Sequence, residues 1–417
     1  MKKLFLFSIL CTGIFVFSCK KEKADIPVTG ISLDQNTLEL VVGVNDSATL
    51  IATVTPANAD YSKIEWSSDN PEIAKVKEGV VTGLTEGTAT ITVTSADGLI
   101  KAICTVKVKV RDFTYGAKKF IAENKAKGKH TFNFNTSELP KTFTLRNGVK
   151  ITIPAGINFT KSSQPVSGPL TLEAYGMLKP SDIILSGTST NYIRYQDKGY
   201  LKSDGFVFID VKQNGESVDE YIGLNNAINI SIPTDEDDGT ATMIWVGEEI
   251  ADTALVWGDV NEDIFFNRGN DKFNWNEIGA VNGSFAFNFG SLGWVNCDVL
   301  WRTGVSFATV TVTVTGKTGT WASYQGYTGD TFVFFVGKGA NVIAQLYTQI
   351  NATTVQSYYN SMPVGDEGKM IAFSVKEGEF SFASQDVTIA ADQQVTLNLK
   401  SIDKEALLDA IKALDQQ

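Results

Sequence analysis

Apolar residues recur at every second position in many short runs of this chain, and this constrains its fold more than any other feature. In "TATITVT", Ala89, Ile91 and Val93 share a face, and in "ATLIATV", Leu50, Ala52 and Val54 do. "AICTVKVKV" puts Cys104 in phase with Val106, Val108 and Val110. Successive side chains of a strand point to opposite faces, so such runs fit strands buried on one side. Turn residues separate the runs, which predicts an all-β chain of tandem β-sandwiches. At ~150 residues per domain, 417 residues allow for three domains.

The first residues follow another rule. Lys2 and Lys3 precede an almost wholly apolar run, Leu4 to Phe17. At ~1.5 Å per residue that run spans ~21 Å, short of a ~30 Å hydrocarbon core, so it reads as a signal peptide, residues 1–18, rather than a permanent span. Val16-Phe17-Ser18-Cys19 resembles a bacterial lipobox, and "SCKKEK" resembles the start of Bacteroidetes outer-membrane lipoproteins. The resemblance implies acyl chains on Cys19 and a lipidated tether over residues 19–27. Each buried CH₂ contributes ~0.8 kcal/mol, so two or more chains anchor stably where one does not. An ordinary secretory signal with an incidental cysteine is the alternative. Lys20 follows the cysteine where the inner-membrane retention signal of enteric bacteria has Asp, so the outer membrane is expected, on its periplasmic or its extracellular face.

Residues 28–110 carry a second resemblance. "VTGISLDQNTLELVVG", "ATVTPANA", "IEWSSDNPEIAKVKEGVVTGLTEGTATITVT" and "CTVKVKV" together resemble a bacterial immunoglobulin-like domain, group 2 (BIG2). The likeness implies Trp66 in a core and Gly79, Gly83 and Gly87 at tight turns with positive φ. It also implies a stalk or adhesive module without catalytic residues; spacer and binding face both remain open.

Residues 113–300 continue as β. "ITIPAG" followed by "GPLTLEAY" resembles the ZU5-like β-modules of secreted bacterial proteins. Some members of that family cleave themselves at His-Phe-Ser, but His130 is followed by Thr131 and Phe132, so self-cleavage does not carry over. Residues 302–400 predict a further sandwich, with "TFVFFVG" as a central strand and a phase shift between Phe307 and Val310 that a bulge would allow. In "NVIAQLYTQI", Val342, Ala344, Leu346 and Ile350 share a side. Residues 401–417 change rhythm: Leu407, Ile411 and Leu414 follow helical spacing, with Ser401 or Asp403 as N-cap, packing back on the last sandwich.

Charge and side-chain inventory narrow the function. The net charge is −11; without Lys2 and Lys3 the balance is 34 basic against 47 acidic residues. Such a surface repels phosphate backbones, so nucleic acid is not an expected partner. One histidine, His130, excludes a multi-histidine zinc site and reads as an exposed structural residue. Cys104 and Cys297 lie in buried phases that shield a thiol, and in different modules, so neither a nucleophile nor a disulfide is expected. "DVNEDIFFNRGND" opens like a calcium loop at Asp259, Asn261 and Asp263, but Ile264 stands where Gly is required and Asn270 where Glu belongs. "PTDEDDG" reads as an exposed turn. No cofactor is expected.

Six of the seven tryptophans lie between Trp245 and Trp321, most of them in strand phases that fill cores. "TGTWASYQGYTGD" differs, because Trp321, Tyr324 and Tyr327 sit among small polar residues between two strands. Aromatic rings on such a loop can stack on a sugar or protein partner; a loop folded over its own sandwich edge is the alternative. Tyr358 and Tyr359 in "QSYYNS" form a second candidate. The expectation is a lipid-anchored, non-catalytic adhesion or binding protein for glycan or protein ligands. A polysaccharide hydrolase using paired carboxylates and a purely structural envelope component are the rivals.

Overall fold

The computed structural model describes residues 26–416 apart from 60–63, 195–196, 220–225, 238, 251–253, 260–277, 302–303, 318 and 323–328. Cys19, Tyr324, Tyr327, Asn261 and Asp263 therefore lie outside the described residues. Strands hold 55% of the chain and helices 10%, which makes it an all-β protein. It divides into two compact units that meet in sequence at Arg111 and Asp112. No helix of the described residues is long and apolar enough to cross a membrane.

The first unit is a small sandwich. One sheet runs Thr37–Val42, Lys101–Val110, Gly87–Ser95, Ile64–Ser68, its first pair parallel and the others antiparallel. Ser47–Thr49, Val80–Gly83 and Ala74–Lys77 form a second. The alternation in the sequence becomes the core directly: Ala89, Ile91, Val106, Val108 and Cys104 are buried with Leu40, Leu50 and Val81. Trp66 packs half-buried against them. Gly79 closes the hairpin between Ala74–Lys77 and Val80–Gly83 after Glu78, with φ of +83° and +52° respectively. Two consecutive positive φ values give the turn whose twist suits a two-residue hairpin. A Cβ on Gly79 would stand 2.6 Å from the Leu50 carbonyl oxygen and 3.3 Å from the Trp66 ring. Gly87 also has positive φ. Gly83 does not need it: its place is fixed by packing, because a Cβ there would meet Val108 at 3.0 Å.

The second unit, residues 112–416, layers four principal sheets and three helices. A four-stranded antiparallel sheet (Lys141–Thr144, Lys150–Ile153, Ile228–Pro233, Ser284–Phe289) faces part of a nine-stranded sheet. Between them lie Ile151, Ile153, Ile230 and Phe287 from one side and Leu170, Leu172, Val207 and Val295 from the other. Both segments "ITIPAG" and "GPLTLEAY" thus contribute to one apolar layer. Within the nine-stranded sheet, Asp197–Gln213 pairs Gly293–Leu300, which pairs Ala241–Ile250, then Ala254–Asp259, then Asn191–Arg194, which returns to Asp197–Gln213. The strands close in a circuit. At Gly247 a Cβ would come within 2.8 Å of Leu255, Trp257 and Trp294, so only glycine fits among these large side chains.

A second sandwich pairs the five strands led by the fully buried Thr331–Gly337 with the four of Thr348–Asn351, Thr354–Gln356, Thr311–Thr315 and Gln394–Asn398. The phase shift expected near Phe307 does not occur. Ala308, Val310, Val312 and Val314 are all buried in step, and Phe307 faces outward. Val342, Ala344 and Leu346 are buried as expected, while Ile350 is exposed.

Among the described residues three α-helices interrupt this β architecture: α1, Ala117–Gly128; α2, Pro180–Leu185; and α3, Lys404–Lys412. Residues 113–300 read as β throughout from their strands alone, yet Ala117, Phe120 and Ile121 stand at the spacing of one helical face and are buried. Asp403 caps α3 by accepting from the Ala406 N–H at 2.8 Å. Helical Phe120, Ile183, Leu407 and Ile411 join Phe206, Trp245 and Trp257 of the nine-stranded sheet and Phe332 and Phe373 of the five-stranded one in one core. Each such large side chain fully buried contributes about 1.5–3 kcal/mol. The segments 113–300 and 302–400 share this core, and α3 packs on both α2 and the last sandwich.

Candidate functional site

The three helices converge on an open cavity of about 350 Å³ in the second unit. Helix α1 supplies Lys125 and Lys127, α2 supplies Asp182, and α3 supplies Lys412. His130 and Arg146 complete the polar lining, with Tyr175 beside them. Local chemistry fixes several of these groups. The Arg146 backbone N–H donates to His130 Nε2 at 3.0 Å, which leaves the proton of a neutral imidazole on Nδ1, buried beside the backbone of Gly128 and Ala174. Burial, and next the Arg146 charge, lower the pKa of His130. The Arg146 side chain donates from Nη2 to the Lys127 carbonyl at 3.0 Å, tying the turn to the end of α1. Asn147 Nδ2 donates to the Gly176 carbonyl at 2.8 Å. Glycine is required there, because a Cβ would lie 2.7 Å from that nitrogen.

The Tyr175 side of the wall is backed by a buried ring. Tyr175 stacks on Trp294 with ring centroids 6.2 Å apart, and the Lys125 ammonium lies 5.1 Å from the Trp294 ring centroid. That distance is within cation–π range. Among the described residues no three His, Cys, Asp or Glu side chains come together as metal ligands.

The aromatic residues singled out in the sequence lie elsewhere. Trp321, expected on an open loop, is 6% exposed and packs in the last sandwich with Val333 and Phe335. Its indole N–H donates to the Asn351 carbonyl at 3.0 Å, and the Lys317 ammonium sits 4.4 Å over its ring. A wide ring with one donor is satisfied by such a half-apolar niche. Tyr358 is half-buried, its hydroxyl hydrogen-bonded to that of Tyr347 at 2.5 Å. Tyr359 is 85% exposed. The structure does not bring Trp321 and Tyr359 together in a described cavity. His130, expected at the surface, is half-buried in the cavity wall. Cys104 and Cys297 are free and buried; burial raises both thiols' pKa, that of Cys297 well above the usual value.

Arg146 and Lys412 were not legible as site residues, since they are far from α1 in sequence. One signal was present: "ENKAKGKH", a lysine-rich run in an acidic chain, holds Lys125, Lys127 and His130.

In the first unit, the Gly79 hairpin pressed against Trp66 and the parallel pairing of Thr37–Val42 with Lys101–Val110 agree with the order of its sequence segments. Residues 27–106 match the family model of the bacterial Ig-like domain, group 2. This Ig-like domain is what the chain shares with proteins of varied kinds. It is 41% identical over 85 residues to an alpha-L-arabinofuranosidase of Bifidobacterium longum subsp. longum, which is 20% of this chain and 8% of that protein. It is 39% identical over 87 residues to an Ig-like virion protein of Serratia phage KSP90, 20% of this chain and 33% of the relative. A minor capsid protein of Enterobacteria phage T3 is 42% identical over 80 residues, 19% of this chain and 18% of that one. The chain thus spans a third or less of each of these relatives. The surface layer protein SbsC, domains 4–9, aligns over 90% of this chain and 84% of its own at 12% identity, with a TM-score of 0.18 that carries no likeness of fold.

Proposed function

We propose that this chain is a lipid-anchored protein of the bacterial cell envelope that binds glycan or protein ligands without turning them over. Val16 to Cys19 supports the anchor through its likeness to a lipobox, and Lys20 supports the outer membrane. The Ig-like domain supports a surface-binding or structural role, since relatives carrying it include a virion protein and a glycosidase. The likeness of "ITIPAG" and "GPLTLEAY" to ZU5-like modules fits a secreted protein. One observation carries the binding part of the proposal. A cavity of about 350 Å³, lined by Tyr175 and basic side chains, falls in the size range of small-ligand sites.

Two measurements test the proposal. Mass spectrometry of the native protein is expected to find a diacylated N-terminal Cys19; an unmodified cysteine or a retained leader sinks the anchor. Glycan and envelope-protein arrays probed with the full chain are expected to give saturable binding. Silence on both removes the binding reading. Reducing sugar released from a polysaccharide panel would replace it with a hydrolase.

A further inference from the structure

The cavity has the opposite charge to the chain around it. Among the described residues Lys125, Lys127, Arg146 and Lys412 line it with a single carboxylate, Asp182, whereas the whole sequence holds 47 acidic against 36 basic residues. Lys127, Arg146 and Lys412 are exposed, so water screens their repulsion in part, yet like charges round one concavity still favour an anion between them. Lys125 has partners of its own within the protein, but little there neutralises the other three. Among the described residues Arg146 and Lys127 form no ion pair, and Lys412 reaches only Asp409, at 4.0 Å on an exposed helix face.

The groups are also shaped for one chemistry. Beyond its bond to the Lys127 carbonyl, the Arg146 side chain donates no other hydrogen bond among the described residues. A planar guanidinium fork matches two oxygens of a carboxylate or a phosphate. Its backbone is held by the His130 imidazole at 3.0 Å and its turn by Asn147 on Gly176, so the fork starts from a fixed base. Lys125 is steered over Trp294, with the half-buried Tyr175 stacked on the same indole, so this side of the cavity is held in place.

We infer that this cavity binds the oxyanion, carboxylate or phosphate, of a sugar-sized ligand, with Arg146 as its bidentate partner and Lys127 and Lys412 as surrounding charge. The inference rests on the proposed binding function and narrows it to acidic ligands.

Titration calorimetry of the full chain tests it with glucuronate, glucose 6-phosphate, inorganic phosphate and neutral glucose. Both acidic sugars or one of them is expected to bind, with glucose at least about tenfold weaker. Raising NaCl from about 50 to 300 mM is expected to weaken binding through screening. Arg146→Ala is expected to weaken it at least about tenfold and Arg146→Lys by less, since lysine keeps charge but not the fork. Lys412→Ala, on an exposed position, gives an independent loss. A preference for glucuronate or for the phosphate sugar identifies the source of the oxyanion. The inference is overturned if no anion binds, or if Arg146→Ala and Lys412→Ala, both shown folded by circular dichroism, bind as the unaltered chain does. Neutral glycan or protein binding that survives both substitutions keeps the proposed function and removes the inference. Anion binding in the cavity with silent glycan and protein arrays does the reverse.

Discussion

Asp415 caps helix α2 from 234 positions away: its carboxylate accepts the Ser181 backbone N–H at 2.9 Å and the Ser181 hydroxyl at 2.8 Å. Lys179, at the N-cap itself, offers no side-chain acceptor, so a residue near the C-terminus takes over a task usually done locally. Loss of a cap costs about 1 kcal/mol. Asp415→Ala and Ser181→Ala are each expected to lower stability by about that amount in urea unfolding, and the double variant by less than the sum. Additive losses would show that the two residues act separately.

His130 gives stability a pH dependence of known sign. Its folded pKa lies below the ordinary 6.5, so the unfolded chain binds the proton more readily. Stability is then full above 6.5 and declines as pH falls below it. Protonation of Nε2 would also cost the acceptor for the Arg146 N–H. His130→Gln is expected to flatten the decline of the urea midpoint between about pH 7 and 5; an unchanged slope contradicts the assignment.

Glu123 acts in the acid range with the same sign. It accepts from Lys404 Nζ at 2.8 Å and from the Tyr115 hydroxyl at 2.6 Å, and these bonds hold its carboxyl below the ordinary 4.5. The stabilisation is present above 4.5 and fades as pH falls through the lowered folded value. The same contact, after burial, pushes the Tyr115 phenol up to about 12. Glu123→Gln is expected to make the protein less stable at neutral pH but to remove part of its loss on acidification, read from unfolding midpoints at a series of pH values.

Trp321 and Tyr359 should separate under mutation. Trp321→Ala empties a core niche and breaks the bond to Asn351, for an expected loss of about 3–5 kcal/mol. Tyr359→Ala, at 85% exposure, is expected to leave stability within about 0.5 kcal/mol. Thermal unfolding checks both. A Trp321→Ala chain as stable as the original would place that ring outside the core.

Gly79→Ala forces a side chain onto φ of +83° and against the Leu50 carbonyl. The expected cost is about 1–3 kcal/mol, confined to residues 26–111. Hydrogen exchange is expected to accelerate at Leu50, Val81 and Val106 and to stay unchanged at Phe332 and Phe373.

Strands were legible because their alternation is local. Phe285, Phe287 and Phe289 announce a one-sided strand in five residues, and all three are buried. The cap of α3 was narrowed to Ser401 or Asp403 for the same reason, and Asp403 is the one that accepts the Ala406 N–H. For Trp321 the alternative of a loop folded over its own sandwich edge agrees with its burial, but the partner that holds it, the Asn351 carbonyl, comes from a different strand and leaves no trace in the neighbouring Gly, Ser and Thr. Helix α1 carries lysines on most of its surface, so its apolar face of Ala117, Phe120 and Ile121 is too narrow to stand out among β-runs. The cavity was hidden for a further reason. Lys127, Arg146 and Lys412 become neighbours only when α3 folds onto α1 and α2, and pairing over such separations is written in shape rather than in spacing.

The core that α3 helps to build sets an order on synthesis. Leu407, Ile411 and Leu414 lie against residues from Tyr115 onward, so the ribosome must release almost the whole chain before the larger unit can seal. The Ig-like domain, with every contributor made by residue 110, can fold long before then. Until the last turn of helix arrives, the growing polypeptide carries a finished bead followed by an open apolar seam, the state in which a chaperone would meet it.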